Sequence, residues 1–277
     1  MSGEIVFDFF RYQILPISQH IQLNLFKSYD DSIKNKNTHF KTALVNSIYR
    51  SAGKDLVKDV KEVDNDFFVL KLGKKINIKR YTENLSPEKI DSFPPTTIFI
   101  DNSPNFQTIS IEQNNVFRDT DSVIRILLRS INEILKDHSL IVKIAPIFNA
   151  KSFWQFIGEN KKSIRYVDFM LITPNMSNIS STLSEDLRKA AQSTKAIKTN
   201  VKLQSEPGST LEIDENNNQI SDLVDYASKG GGRAFIRGFK SKYDSRRQQK
   251  TFSIESIEGN TQDIIAIIRA LANEQDI

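Results

Sequence analysis

The chain has 277 residues, 39% hydrophobic and 26% charged, with 18 Phe and one Trp. That is a globular composition, long enough for one large core or two smaller ones, and not that of a disordered chain. It has no cysteine, which excludes disulfides, cysteine zinc sites, iron–sulfur clusters and a cysteine nucleophile, and fits a cytoplasmic protein. The net charge of +4 is too mild to imply a nucleic-acid partner by itself. No run approaches the ~20 apolar residues of a membrane span, and the N-terminus lacks the basic start of a signal peptide, so no membrane partner is expected.

Ile5 to Leu15 is rich in β-branched and aromatic residues and stops at Pro16, which predicts a long strand. His39 to Arg50 reads as an amphipathic helix with Phe40, Leu44, Val45 and Ile48 on one face. The alternating charges from Lys54 to Asp66 would, on a helix, make a solvated face of i,i+3 and i,i+4 pairs. Phe67 to Leu72 is a predicted strand, Gly73-Lys74-Lys75 a turn, and Ile76 to Tyr81 its hairpin partner. Beyond Pro94-Pro95, strands at Thr96–Ile100 and Thr108–Gln113 flank the turn Asp101–Asn105. Asp121-Ser122 offers an N-cap for a helix through Lys136, with Val123, Ile126, Leu127, Ile131, Ile134 and Leu135 as its apolar stripe. A strand follows at Leu140–Ile147, and a boundary at Asn149-Ala150 divides the chain into halves 1–149 and 150–277.

The second half opens with a short aromatic helix around Phe153–Phe156. A strand from Arg165 to Thr173 ends at Pro174-Asn175, and a helix from Ser184 to Lys195 carries acids early and bases late. Strands at Asn200–Ser205 and Thr210–Ile213 surround Glu206-Pro207-Gly208. A helix over Gln219–Ser228 stops at Gly230-Gly231-Gly232, where the bland reading is a glycine C-cap. Strands at Arg233–Phe239 and Thr251–Ile257 and a helix over Thr261–Glu274 complete the chain. Strands and helices alternate without a regular βα period, so the predicted class is α+β, mainly antiparallel sheets covered by helices. The order in the second half is compatible with a ferredoxin-like sandwich.

The most informative segment is Lys229 to Lys250, a basic hairpin with eight basic residues against the single acid Asp244. Its net +7 exceeds the charge of the whole chain, so the remainder sums to −3. Lys229, Arg233, Arg237, Lys240, Lys242, Arg246, Arg247 and Lys250 are candidate phosphate contacts, because neutralising a phosphate releases its counterion. Phe235, Phe239 and Tyr243 are candidate stacking rings. On a strand, Phe235, Arg237 and Phe239 share one face and Ala234, Ile236 and Gly238 the other. If Ile236 faces the core, the Phe235–Arg237–Phe239 side is the candidate binding surface. Gly231 to Gly238 resembles in part the aromatic strand signature of RNA-recognition motifs, through Gly232, Ala234, Phe235 and Ile236. Arg233 and Gly238 stand where that family has aromatics. The competing readings are a solvated hairpin whose bases keep the chain soluble, and an acidic protein partner docked by an interaction subunit.

No catalytic or cofactor motif stands out. Gly230-Gly231-Gly232 lacks the Lys-Ser/Thr of a phosphate-binding loop and precedes a strand. His20, His39 and His138 have no metal-ligand spacing. Glu159-Asn160-Lys161 has the letters of a metal-dependent nuclease but lies in a polar turn, and Asp64, Asp66 and Asp168 have no supporting spacing.

Three further segments carry a resemblance: Phe9-Phe10-Arg11-Tyr12-Gln13-Ile14-Leu15-Pro16, Phe169-Met170-Leu171-Ile172-Thr173-Pro174-Asn175, and Tyr226-Ala227-Ser228-Lys229-Gly230-Gly231-Gly232. The pattern is similar to an uncharacterised bacterial family encoded near mobile-element and anti-phage genes. The resemblance transfers no catalytic residue. It implies a subunit of an antiviral defence system, partnered by another protein or by its own copies. With the basic hairpin, the expectation is a non-catalytic DNA- or RNA-binding protein. The alternatives are a docking subunit for an effector enzyme and a metal-dependent nuclease.

Overall fold

The long, largely apolar N-terminal segment becomes an inner strand of the larger of two main sheets, one place in from its edge. A computed structural model describes residues 4–17, 34–172, 185–194, 196–257 and 261–273. Strand β1 (Ile5–Pro16) pairs on one side with β9 (Thr108–Glu112), and on the other with β10 (Leu140–Pro146) and β15 (Thr251–Ile254). Beyond β9 follow β8 (Pro95–Asp101), β5 (Phe67–Gly73) and the edge strand β4 (Val57–Asp64), all antiparallel. The chain is α+β, with helices covering mainly antiparallel sheets.

Both faces of this sheet are covered, which is why β1 carries apolar residues at odd and even positions alike and buries even Asp8, Arg11 and Gln13. Phe10, Tyr12 and Ile14 point to α1 (Lys36–Asn46) and α2 (Thr120–Leu135). Phe7 and Phe9 point the other way, joining Phe67, Phe99 and Phe252 beneath Ile264, Ile265 and Ile268 of α6 (Thr261–Asn273). At roughly 1.5–3 kcal/mol for each buried aliphatic side chain, those three isoleucines account for much of the docking of α6. Helix α2 starts not at the expected Asp121-Ser122 but two residues earlier, where the Asp119 side chain accepts from the Ser122 N–H and leaves Asp121 in the first turn; Val123, Ile126, Leu127, Ile131 and Leu135 are buried as its periodicity requires. Two polar clasps also hold α6. Arg269 Nε donates to the fully buried Asp101 carboxylate at 2.7 Å. Buried Arg11 donates to the Ala272 carbonyl near the end of the helix. Desolvation lowers the pKa of that guanidinium to about 10.

The second sheet has the order β12 (Lys198–Gln204), β11 (Ile164–Ile172), β13 (Gly232–Gly238) and β14 (Lys242–Asp244). Helices α3 (Ala150–Glu159) and α5 (Asn218–Ser228) cover one face, with Leu187 of α4 (Glu185–Ser193) contributing to the same core. The glycine run ends α5 as a C-cap, with the N–H groups of Gly230 and Gly231 donating to Ala227 and Tyr226. Gly230 has φ +83 and sits so close to Arg11 that a Cβ there would collide with its side chain. That contact brings the α5–β13 turn against β1.

Several expectations are corrected. The strand order is not that of a ferredoxin-like sandwich, in which the fourth strand lies beside the first. Here β11 has β12 on one side and β13 on the other, and β14 pairs with β13 instead. Thr210–Ile213 forms no strand; a single bond joins Leu211 N–H to Ile164 O. From the half 150–277, β15 pairs with β1 and α6 packs on the first sheet. Lys54–Asp66 is not a helix but leads into edge strand β4, because Phe67–Gly73 offers it a partner along its whole length. The α1 helix ends at Asn46, so Val45 and Ile48 are exposed while Ala43 and Tyr49 turn inward. Strand β6 (Ile76–Tyr81) pairs not with β5 but with β7 (Pro87–Ser92), in an exposed ribbon. Arg50–Ser51 and Lys54–Asp55 form the short hairpin β2–β3. Thr173, Pro174, Asn175, Ser184, Lys195, Glu274 and His20 lie outside the described residues. Among the described residues no helix is long and apolar enough to cross a membrane.

Candidate nucleic-acid interface

Strand alternation sorts the second sheet into two unlike faces. Val167, Phe169 and Leu171 of β11 and Ala234 and Ile236 of β13 are buried under the helices. The residues between them form the opposite, open face. Register places Tyr166 between Gln204 and Arg237, Asp168 between Lys202 and Phe235, and Met170 between Asn200 and Arg233. Lys242 and Asp244 of β14 extend these rows beside Arg237 and Phe235.

The centre of the open face is aromatic. The rings of Tyr166 and Phe235 stack with centroids 6.0 Å apart and 30° between planes. Lys202 Nζ lies 4.6 Å from the Tyr166 centroid, and the Arg233 guanidinium 5.8 Å from that of Phe235. At one end, an irregularity in β11 between Ile164 and Tyr166 accompanies a contact of Arg165 over Phe239, 5.4 Å from its centroid. Arg165, Tyr166, Gln204, Arg237 and Phe239 line a cavity of about 440 Å³ there. A smaller one of about 140 Å³ lies between Asp168, Met170, Arg233 and Phe235.

Charge on this face is partly internally balanced. Arg233 and Arg246 both donate to Asp244, at 3.1 and 3.0 Å. Burial pushes the Asp244 carboxyl up, but hydrogen bonds from Arg246 and the charges of Arg233 and Arg246 outweigh it, and its pKa is lowered. The bond to Asp244 raises Arg246 in turn, against a smaller effect of desolvation. No ion pair engages Arg165, Lys202, Arg237 or Lys242 among the described contacts.

The basic hairpin is therefore divided. Arg233, Phe235, Arg237 and Lys242 lie on the open face, and Phe239, 49% exposed, stands at its end. Lys240 is exposed in the turn between β13 and β14, and Arg246 and Arg247 in the 3-10 turn after β14. Lys229 and Lys250 sit at the junction of the sheets, where their backbones bond near Ile147. Tyr243 is not a stacking ring. It lies opposite Ile236, on the core side, only 5% exposed against Phe153 and Phe156, with its hydroxyl 3.0 Å from Ser152 Oγ. Burial pushes its pKa up to about 12. Tyr166, Arg165, Lys202 and Gln204 join this face from strands outside the basic hairpin. The alternation Tyr166-Val167-Asp168-Phe169-Met170-Leu171 was the available signal, since it separates a core row from an outer row.

The other candidates do not assemble. Among the described residues no group of three or more His, Cys, Asp or Glu is placed to hold a metal ion. Glu159 bonds to Gln155 at the end of α3, while Asp64 and Asp66 lie in and beside the β4–β5 turn, on the other sheet from Asp168. His39 and His138 do meet, with ring centroids 3.9 Å apart; desolvation and the His138 charge lower the pKa of His39. No known family's sequence pattern matches the chain, and no curated protein matches it.

Proposed function

We propose that the open face of the β12-β11-β13-β14 sheet binds single-stranded DNA or RNA. The observation that carries this reading is the stacked pair Tyr166–Phe235 on a sheet face without a covering helix among the described ones, flanked by Arg165, Lys202, Arg237 and Lys242. An unpaired base can lie flat on such a ring, while neighbouring cations take the phosphates. A duplex keeps its base faces inside the stack and offers the same surface only its backbone. On this reading the protein is a non-catalytic binding subunit, and a place in bacterial defence belongs to the same proposal.

The test is fluorescence anisotropy of the purified chain with single- and double-stranded DNA and RNA across a salt series. Single strands should bind more tightly than duplexes, with affinity falling steeply as salt rises. Arg237→Ala and Lys242→Ala should each reduce the salt slope by about one. Absence of binding at low salt, or binding indifferent to salt, would remove the proposal.

A further inference from the structure

Strand β4 ends the larger sheet, and among the described residues no strand pairs with its outer side. An open edge is ordinarily protected by charge, and β4 carries Lys58, Asp59, Lys61 and Glu62. Their order does more than repel. We infer that β4 is the edge through which two copies of this chain join, antiparallel and related by a two-fold axis through Val60.

In that register Lys58 meets Glu62 of the second copy, Asp59 meets Lys61, Val57 meets Val63, and Val60 meets itself. Every charged residue of the segment therefore faces one of opposite sign. Other registers fail. A shift of one residue sets Asp59 opposite Glu62 or Lys58 opposite Lys61. A shift of two sets Lys61 or Asp59 opposite its own copy. Like charges directly opposed in a sheet destabilise it, so the sequence Val57–Val63 favours one pairing and penalises its neighbours.

Burial and side-chain geometry agree with this partner. Val57 is 54% exposed at the start of the strand and Val63 37% exposed in the irregularity between Glu62 and Asp64, so the regular pairing runs from Lys58 to Glu62 and the two valines would meet at its margins. Lys58 and Glu62 are held in place before association, Lys58 Nζ by the carbonyls of Val45 and Ser47, and Glu62 by Lys41 at 2.7 Å. Asp59 and Lys61 share only a loose, exposed pair at 3.3 Å, free to be exchanged for partners across the edge. The interface is isologous, closes on itself and leaves the open face of the second sheet outside it. The inference does not depend on nucleic-acid binding.

Sedimentation equilibrium of the full chain over a concentration series tests it. A dimer should form, and Asp59→Lys should weaken it roughly tenfold or more, because two like-charge contacts replace two opposite ones. Lys61→Asp should do the same, and the double variant D59K/K61D should restore dimerisation. Both residues are exposed, and melting curves of each variant will show that the fold is kept. A chain that stays monomeric throughout, a dimer indifferent to the single reversals, or a double variant that fails to recover would each overturn the inference.

Discussion

Replacing Phe235 by Ala separates stacking from simple charge attraction. The change removes one ring of the 6.0 Å pair with Tyr166 and the surface beneath the Arg233 guanidinium, while no charged group is altered. Removal of a ring that stacks on a base costs about 1–3 kcal/mol, so the dissociation constant for a single strand should rise roughly 5- to 150-fold. Phe235 is half-buried, and its truncation also costs about 1–2 kcal/mol of folding stability. That loss leaves affinity untouched as long as the protein is folded at the assay temperature, which a melting curve establishes. The assay is anisotropy with a labelled single strand at one fixed salt concentration. Tyr243→Phe is the control. It removes a hydroxyl bonded to Ser152 in the core but no ring from the open face, so stability should fall by about 0.5–1.5 kcal/mol with affinity unchanged. A Phe235→Ala affinity within twofold of the parent, or a Tyr243→Phe loss of equal size, would refute the argument.

Arg269→Ala should lower the unfolding free energy by about 1–3 kcal/mol in a denaturant titration, since it leaves the Asp101 carboxylate buried without its counter-charge. Partial exposure of Arg269 keeps the loss below that of a fully buried pair. Asp244 should contribute to acid unfolding. Its folded pKa lies below the ordinary 3.8, so its stabilisation is complete above 3.8 and is lost as pH falls through the folded value. Stability measured from near neutrality into that acid range should therefore fall less steeply in Asp244→Asn than in the parent, and equal slopes would contradict the assignment.

Elements whose periodicity matched their burial could be read directly. Helix α2 is an example: its stripe from Val123 to Leu135 is a local feature that helix geometry leaves one arrangement, although its cap is Asp119, two residues before the expected Asp121. The hairpin was harder. Alternation grouped Phe235 with Arg237 and Ala234 with Ile236, but whether that first row met water depended on α3 and α5, which come from elsewhere in the chain. The side that Tyr243 takes is set in the same way, by its register with Ile236 and not by its aromatic character.

By itself, the sequence determined the α+β class, the positions of most strands and helices, and the concentration of positive charge between Lys229 and Lys250. All of these follow from backbone periodicity and composition within a short window. Only the tertiary structure decided that Lys54–Asp66 feeds a strand, that Tyr166 and Phe235 adjoin, and that β15 and α6 return to the first sheet. The physical reason is pairing. Alternating charges suit an exposed helix or an edge strand equally, and the choice falls to whichever distant segment supplies hydrogen bonds and apolar contact. For β4 that segment is β5; for β15 it is β1, more than two hundred residues earlier in the chain.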